Sequence, residues 1–315
     1  MRYKKFQSAG IEVSSLGVGT WALGGGNYGA VDKEGAIQAI RAMLEEGVNL
    51  IDTAPCYGNG ASERIVGEAL EGIKREEVLL STKFGLAPSI YNRGYVRDGS
   101  YKNVMREVES SLMNLKTDYL DFYFVHWPDE KTPIGETMAA LADLKRMGYI
   151  RYVGVSNFSR EQVEEAEQFL KLDVQQPLFS MVDQTYTDLM RWGMTRGIDT
   201  MTYGSMGAGV LSGKYRTVPE FDKKDTRLNF YDTFREPKFS KIQELLKVMD
   251  EIAEEHDCPV GHVALNWSTQ KEFVGTALVG VRSVEHAKEN CSAFTWELTQ
   301  EEMTRLDRKL EELEL

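Results

Sequence analysis

Four residues able to hold or move a proton fall at or just beyond the ends of successive apolar runs: Asp52, Tyr57, Lys83 and His126. In NLIDTAPCYG an apolar run stops at Asp52, and Pro55, Gly58 and Gly60 surround Tyr57 in what must be a turn-rich loop. VLLSTK ends on Lys83 and YLDFYFVH on His126. A phenol with a pKa near 10 is a reluctant proton donor at neutral pH. Lowering it by about two units takes ~2.7 kcal/mol, and a unit charge at ~4 Å supplies energy of that order at the effective dielectric of a protein site. A half-buried lysine tends to lose its proton, which an acid paired with it opposes. The group therefore reads as Tyr57 the general acid, Lys83 its tuner, Asp52 the keeper of the Lys83 charge, and His126 a hydrogen-bond donor to a carbonyl oxygen. Alone, each is ordinary: a cap, a solvated lysine, a rim aromatic, a core histidine. No side chain donates hydride, so reduction of that carbonyl needs a cofactor.

Such a group can meet only if the strand ends share a rim. Short apolar runs alternate with amphipathic helical patterns eight times along the chain. The strands are expected at Ser15–Thr20, Val48–Asp52, Val78–Lys83, Tyr119–His126, Tyr152–Ser156, Val174–Gln176, Ile198–Tyr203 and Val274–Val279. The helices that follow them are expected at about Asp32–Glu46, Ser62–Glu71, Tyr101–Leu115, Pro133–Met147, Arg160–Leu170, Gln184–Arg196, Phe239–His256 and Val284–Asn290. Two further helical patterns cover Val260–Gln270 and Thr299–Leu313, and Tyr3–Val13 reads as a hairpin turning at Ala9-Gly10. This predicts an α/β fold, a (β/α)8 TIM barrel with an N-terminal β-hairpin and extra C-terminal helices, one domain over residues 1–315. Phe84–Ser100 and Gly204–Lys238 are longer than a barrel needs, and long loops on one face carry function.

Composition narrows the classes. A net charge of −12 argues against nucleic acid and against anionic membrane surfaces as partners. No apolar run is long enough to span a bilayer, and the start MRYKKFQSAG lacks a signal-peptide core, so a cytoplasmic protein is expected. Cys56, Cys258 and Cys291 are far apart and odd in number, and the four histidines are scattered, so neither disulfides nor a metal is expected. GVGTWA at Gly17–Ala22 loosely matches a dinucleotide fingerprint, but Gly24-Gly25-Gly26-Asn27 follows where a helix should begin. GAGVLSGKY at Gly207–Tyr215 lacks phosphate-loop spacing, and GVSNF at Gly154–Phe158 is no nucleophile elbow.

Beyond these residues, nearly the whole chain resembles the aldo-keto reductase family. The resemblance is carried by LGVGTWALGG, IDTAPCYGNGASERIVGEAL, LLSTKFG, LKTDYLDFYFVHWPD, GYIRYVGVSNF, GVLSGKY and VGVRSVEHAKEN, in that order. It implies a barrel that binds a nicotinamide cofactor without a Rossmann domain, with the catalytic tetrad on Asp52, Tyr57, Lys83 and His126. It further implies that Thr20 and Trp21 border the cofactor, and that Ser156, Asn157 and Gln176 (rather than Gln175) hold the nicotinamide carboxamide. Tyr203 would stack on the ring, and Met206, Gly209, Leu211, Ser212 and Lys214 would cover the pyrophosphate. Gly280, Arg282, His286, Glu289 and Asn290 would meet the adenosine. Many relatives carry proline at Val279, lysine at Gly280 and arginine at His286; with only Arg282, helped by Lys288, to hold a 2′-phosphate, NADPH is expected and NADH is the alternative.

The substrate would be a small-molecule carbonyl or alcohol bound by Trp21, Tyr57, His126 and Trp127. Tyr91, Tyr95, Arg97 and Asp98 in one long loop, and Tyr231, Phe234 and Arg235 in the other, suit a sugar-like carbonyl. Cys56 beside Tyr57 is expected to be inert packing. The expected activity is NAD(P)H-dependent reduction of aldehydes or ketones. The resemblance also admits a cofactor-binding regulatory or scaffold subunit, or redox-neutral sugar conversion with a retained nicotinamide. Neither the oligomeric state nor the natural substrate is legible.

Overall fold

The computed structural model describes residues 1–25, 31–88, 94–221, 225, 227 and 230–315. Gly26, Asn27 and Tyr91, singled out above, lie outside the described residues. The chain opens with an antiparallel hairpin of β1 (Tyr3–Phe6) and β2 (Ile11–Ser14), turning through Gly10 at φ 67°. The strands β3 (Leu16–Gly19), β4 (Leu50–Asp52) and β5 (Leu79–Phe84) begin the barrel. In the loop after β5, β6 (Leu86–Pro88) and β7 (Tyr95–Arg97) pair antiparallel. The barrel continues with β8 (Leu120–Val125), β9 (Ile150–Ser156), β10 (Val174–Gln176), β11 (Asp199–Thr202) and β12 (Thr276–Gly280). It closes as β3-β4-β5-β8-β9-β10-β11-β12, with β12 pairing back to β3 and every pair parallel.

The helices run α1 (Lys33–Glu45), α2 (Ala61–Ala69), α3 (Tyr101–Leu115), α4 (Ile134–Met147) and α5 (Arg160–Ala166). They continue with α6 (Thr187–Thr195), α7 (Lys238–Glu255), α8 (Val260–Thr269), α9 (Val284–Ser292) and α10 (Gln300–Leu313). Both long segments expected as loops contain structure: the β6–β7 hairpin in one, and in the other a 3₁₀ turn at Gly207–Ser212. α5 stops at Ala166 rather than Leu170, because Gln168 and Phe169 donate three residues back and tighten the chain into turns. β12 starts at Thr276 rather than Val274, whose N–H closes a turn on the Lys271 carbonyl. His126 lies one residue past the end of β8, and Lys83 one before the end of β5.

Side chains on a strand alternate sides, and here the alternation separates two environments. Leu80, Tyr123, Val125, Val153 and Val155 face the helices, in one buried cluster with residues of α1 to α5. Leu50, Phe122, Phe124, Val174, Met201 and Leu278 form a second cluster inside the barrel, which Phe6 and Val13 of the hairpin plug from below. Gly154 leaves room for the Phe124 ring: a Cβ there would lie 2.3 Å from a ring carbon. Two residues further along the same inward face, apolar gives way to polar. Leu50 is followed by Asp52, Leu79 by Ser81 and Lys83, Gly154 by Ser156 and Val174 by Gln176. Parity thus turns the top layer of the lumen into a polar floor, at the barrel face where active sites are built.

Candidate active site

Register delivers the group. Asp52 lies opposite Gly19 on one side and Ser81 on the other, Lys83 opposite Phe124, and Gln176 opposite Ser156. Lys83 Nζ donates to Asp52 Oδ2 at 2.5 Å and to the Thr53 carbonyl at 2.9 Å, and reaches Tyr57 Oη at 3.5 Å. The ion pair is enclosed, with Lys83 1% and Asp52 4% exposed. Tyr57 is fixed by a backbone clasp: a Cβ on Gly24 would lie 2.6 Å from the Tyr57 carbonyl carbon, and one on Gly58, at φ 65°, 2.2 Å from the Gly24 oxygen. Only two glycines allow that approach. The Tyr57 ring stacks on Trp21 at 6.2 Å and meets His126 edge-on at 5.9 Å.

The polar floor continues past the tyrosine. Ser156 Oγ donates to the Gln176 carbonyl at 2.7 Å; Asn157 Nδ2 donates to Ser156 Oγ and to the His126 carbonyl, each at 3.0 Å. Tyr203 Oη donates to Asn157 Oδ1 at 2.8 Å, and Asn157 holds φ 61°. Gln176 donates its amide to Asp52 Oδ1 at 3.0 Å, whereas Gln175 faces away and bonds Thr200.

These groups floor a cleft of ≈ 800 Å³ that runs from Tyr57, His126 and Trp127 to His286, Glu289 and Asn290. Thr20, Trp21, Asp52, Ser156, Asn157, Gln176, Tyr203, Met206, Gly209, Ser212, Lys214, Gly280 and Arg282 also line it. Lys83 lies beneath the lining. His286, Glu289 and Asn290 come from one face of α9, whose first turn is capped by Ser283 accepting from the His286 N–H. Leu211 does not line the cleft. It is fully buried in the cluster between α7 and α8, and its N–H is spent on the Met206 carbonyl. Lys288 is likewise absent from the lining.

Of the long-loop residues, Tyr95 and Tyr231 line the cleft, and Tyr95 Oη donates to the Cys56 carbonyl at 2.7 Å. Arg97 lies 5.2 Å over the Trp127 ring. Asp98 instead binds Ser100 ahead of α3, Phe234 packs on Phe221 and Tyr215, and Arg235 lines a smaller neighbouring pocket. Leu86, Arg227, Phe230 and His262 line the cleft without having been singled out for it. Arg227 makes a bidentate pair with Asp225 and donates to Tyr215 Oη at 2.8 Å. Phe230 meets the Trp21 ring edge-on at 5.3 Å, joining two loops that follow β11 and β3. Nothing local marks such residues, because reach across a cleft depends on how a long loop folds back.

The electrostatics correct one expectation. Burial, followed by the Asp52 carboxylate and then Cys56, pushes the Tyr57 phenol well above its ordinary value. Burial and the Asp52 charge outweigh the Lys83 ammonium 3.5 Å away. Burial, then the Lys83 ammonium, holds His126 well below the usual imidazole value, so the ring is neutral at pH 7. Cys56 Sγ sits 3.6 Å from His126 Nδ1, and burial pushes the thiol up to about 12, which makes it unreactive. A protonated phenol beside a neutral imidazole and a buried ammonium is a proton-donating site for an oxygen that gains negative charge.

A sequence model of the aldo/keto reductase family matches residues 15–311. The chain belongs to that family. It is an NAD(P)H-dependent oxidoreductase of the aldo/keto reductase type, on the barrel expected from its sequence. It is 35% identical over 314 residues to the aldo-keto reductase YhdN of Bacillus subtilis, covering 99% of this chain and 94% of that one. It is 32% identical to the NADH-specific methylglyoxal reductase of Escherichia coli, covering 96% and 97%. The solved glycerol dehydrogenase from Gluconobacter oxydans superposes with a TM-score of 0.89 at 34% identity, covering 98% of this chain and 95% of that one. No helix among the described residues is long and apolar enough to cross a membrane.

Proposed function

We propose that the protein reduces small neutral aldehydes or ketones at the Tyr57 end of the cleft, with Tyr57 as the proton donor. The observation that carries this is the enclosed chain of contacts from Asp52 through Lys83 to Tyr57, at 2.5 and 3.5 Å, opening onto the cleft. The resting phenol keeps its proton, the state a donor needs. Lys83 acts when negative charge develops on the phenol oxygen, so its field favours the transition state over the ground state. His126, neutral, donates one ring N–H to the carbonyl oxygen and holds it toward Tyr57. Trp21, Trp127, Tyr95 and Phe230 wall the mouth, a lining that suits a compact carbonyl with hydroxyls at its edges.

A nicotinamide dinucleotide supplies the hydride when bound, and the donor set fits one: amides and hydroxyls at one end of the cleft, cations at the other. Ser156, Asn157 and Gln176 would hold the carboxamide and Tyr203 the ring face. Gly209, Ser212 and Lys214 would hold the diphosphate, and Glu289 and Asn290 the adenine. Arg227 lines the cleft as Arg282 does, but its charge is already answered by the bidentate pair with Asp225, so the preference for NADPH over NADH rests on Arg282. The E. coli relative's named NADH specificity makes the comparison of both cofactors part of the test. The three cysteines are free, which suits work in the cytoplasm. Cofactor oxidation with each of NADPH and NADH and a panel including methylglyoxal and glyceraldehyde tests the reading. Tyr57→Phe is expected to lose about 10²–10⁴-fold in turnover while binding cofactor as the wild type does. Equal turnover removes Tyr57 from the mechanism, and cofactor binding without any turnover points to a regulatory subunit.

A further inference from the structure

The two oxygens of Asp52 have different partners. Oδ2 takes the Lys83 ammonium, while Oδ1 accepts from Ser81 Oγ at 2.7 Å and from Gln176 Nε2 at 3.0 Å. Ser81 is fully buried and Gln176 2% exposed. Pairing of β4 with β5 sets Ser81 opposite Asp52, and the strand period of two puts Lys83 on the same inward face. One strand thus brings a hydroxyl and an ammonium to the two oxygens of one carboxylate. Held by Lys83 alone, the carboxylate could swing about its Cβ–Cγ bond and draw the ammonium off the Tyr57 oxygen. Two donors on Oδ1 fix its plane and take up part of its charge. More of the Lys83 field is then left for Tyr57, 3.5 Å away. Ser81 is not on the cleft lining, so whatever it contributes to turnover passes through Asp52.

We propose that Ser81 is a positioning residue for proton transfer, which together with Gln176 locks the Asp52 carboxylate so that Lys83 stays in reach of Tyr57. This rests on the carbonyl reduction proposed above. The experiment compares wild type, Ser81→Ala, Ser81→Thr, Ser81→Cys and Gln176→Leu for single-turnover rate, carbonyl KM and NADPH Kd. Loss of a hydrogen bond to a buried charge is expected to slow Ser81→Ala about tenfold or more, with KM and Kd within about twofold of wild type. Ser81→Thr keeps the hydroxyl and is expected to recover most of the rate. Gln176→Leu removes the second donor but also the proposed carboxamide contact, so it is read only for a rate loss beyond any loss in Kd. Ser81→Cys, of similar size and with a far weaker donor, is expected to slow as Ser81→Ala does and serves as the test if Ser81→Ala does not fold. A Ser81→Ala rate within twofold of wild type, or a loss lying wholly in KM or Kd, overturns the proposal. A wild type that reduces no carbonyl overturns the reading beneath it instead, so the two failures are distinct.

Discussion

Replacing Lys83 by methionine removes the ammonium and keeps most of the side-chain volume, and its effects on rate and on stability can be separated. Nζ lies 3.5 Å from Tyr57 Oη. A unit charge at that distance from a phenolate, at an effective dielectric of about 20, is worth about 5 kcal/mol. With the proton about half transferred, roughly half of that applies in the transition state, so the variant should lose about 50-fold in the rate of hydride transfer. Stability has a different source. Asp52, 4% exposed, would keep the Ser81 and Gln176 hydrogen bonds but lose its counter-charge. A buried charge stripped of its partner costs about 3–5 kcal/mol. Adding Asp52→Asn removes that charge too, so the double variant should regain most of the stability while remaining slow. Stopped-flow single turnover with prebound cofactor reads the first effect, and urea unfolding reads the second. A double variant that is stable and as fast as wild type would refute the reasoning, because Lys83 would then serve only to neutralise Asp52.

Four further outcomes are expected. Burial holds His126, and to a lesser degree His262, below the ordinary imidazole value of 6.5. The unfolded chain therefore binds protons that the folded one does not. Unfolding free energy should fall as pH drops below about 6.5, and His126→Gln should flatten part of that slope; a flat wild-type profile contradicts the burial. The raised Tyr57 phenol means that kcat/KM should show no basic limb below about pH 10. Gly58→Ala places a Cβ 2.2 Å from the Gly24 oxygen at a positive φ, so it must displace Tyr57. Turnover should fall by about 10²-fold with cofactor Kd unchanged, and wild-type turnover would show that the clasp does not set the tyrosine. Arg282→Ala should weaken NADPH by about tenfold or more while leaving NADH nearly unchanged; equal losses would deny Arg282 a role at the 2′-phosphate.

The sequence by itself determined the order of the barrel strands and their helices, the closed barrel, and the strand-end side chains at the rim, because all of these rest on local periodicity. A strand carries its facing rule in a period of two, and parallel strands separated by helices must present their ends on one face. Asp52, Lys83 and His126 could therefore be brought together on paper. Tertiary structure alone decided what depends on distance between segments remote in the chain. The cleft gained Arg227 and Phe230 from a folded-back loop and lost Leu211 to the core. Gln176 turned its amide onto Asp52 across 124 residues of chain. Tyr57 was expected to be more acidic than a free phenol, yet it is less so, because desolvation depends on everything packed around a group, whereas motif spacing reveals only which charges are near.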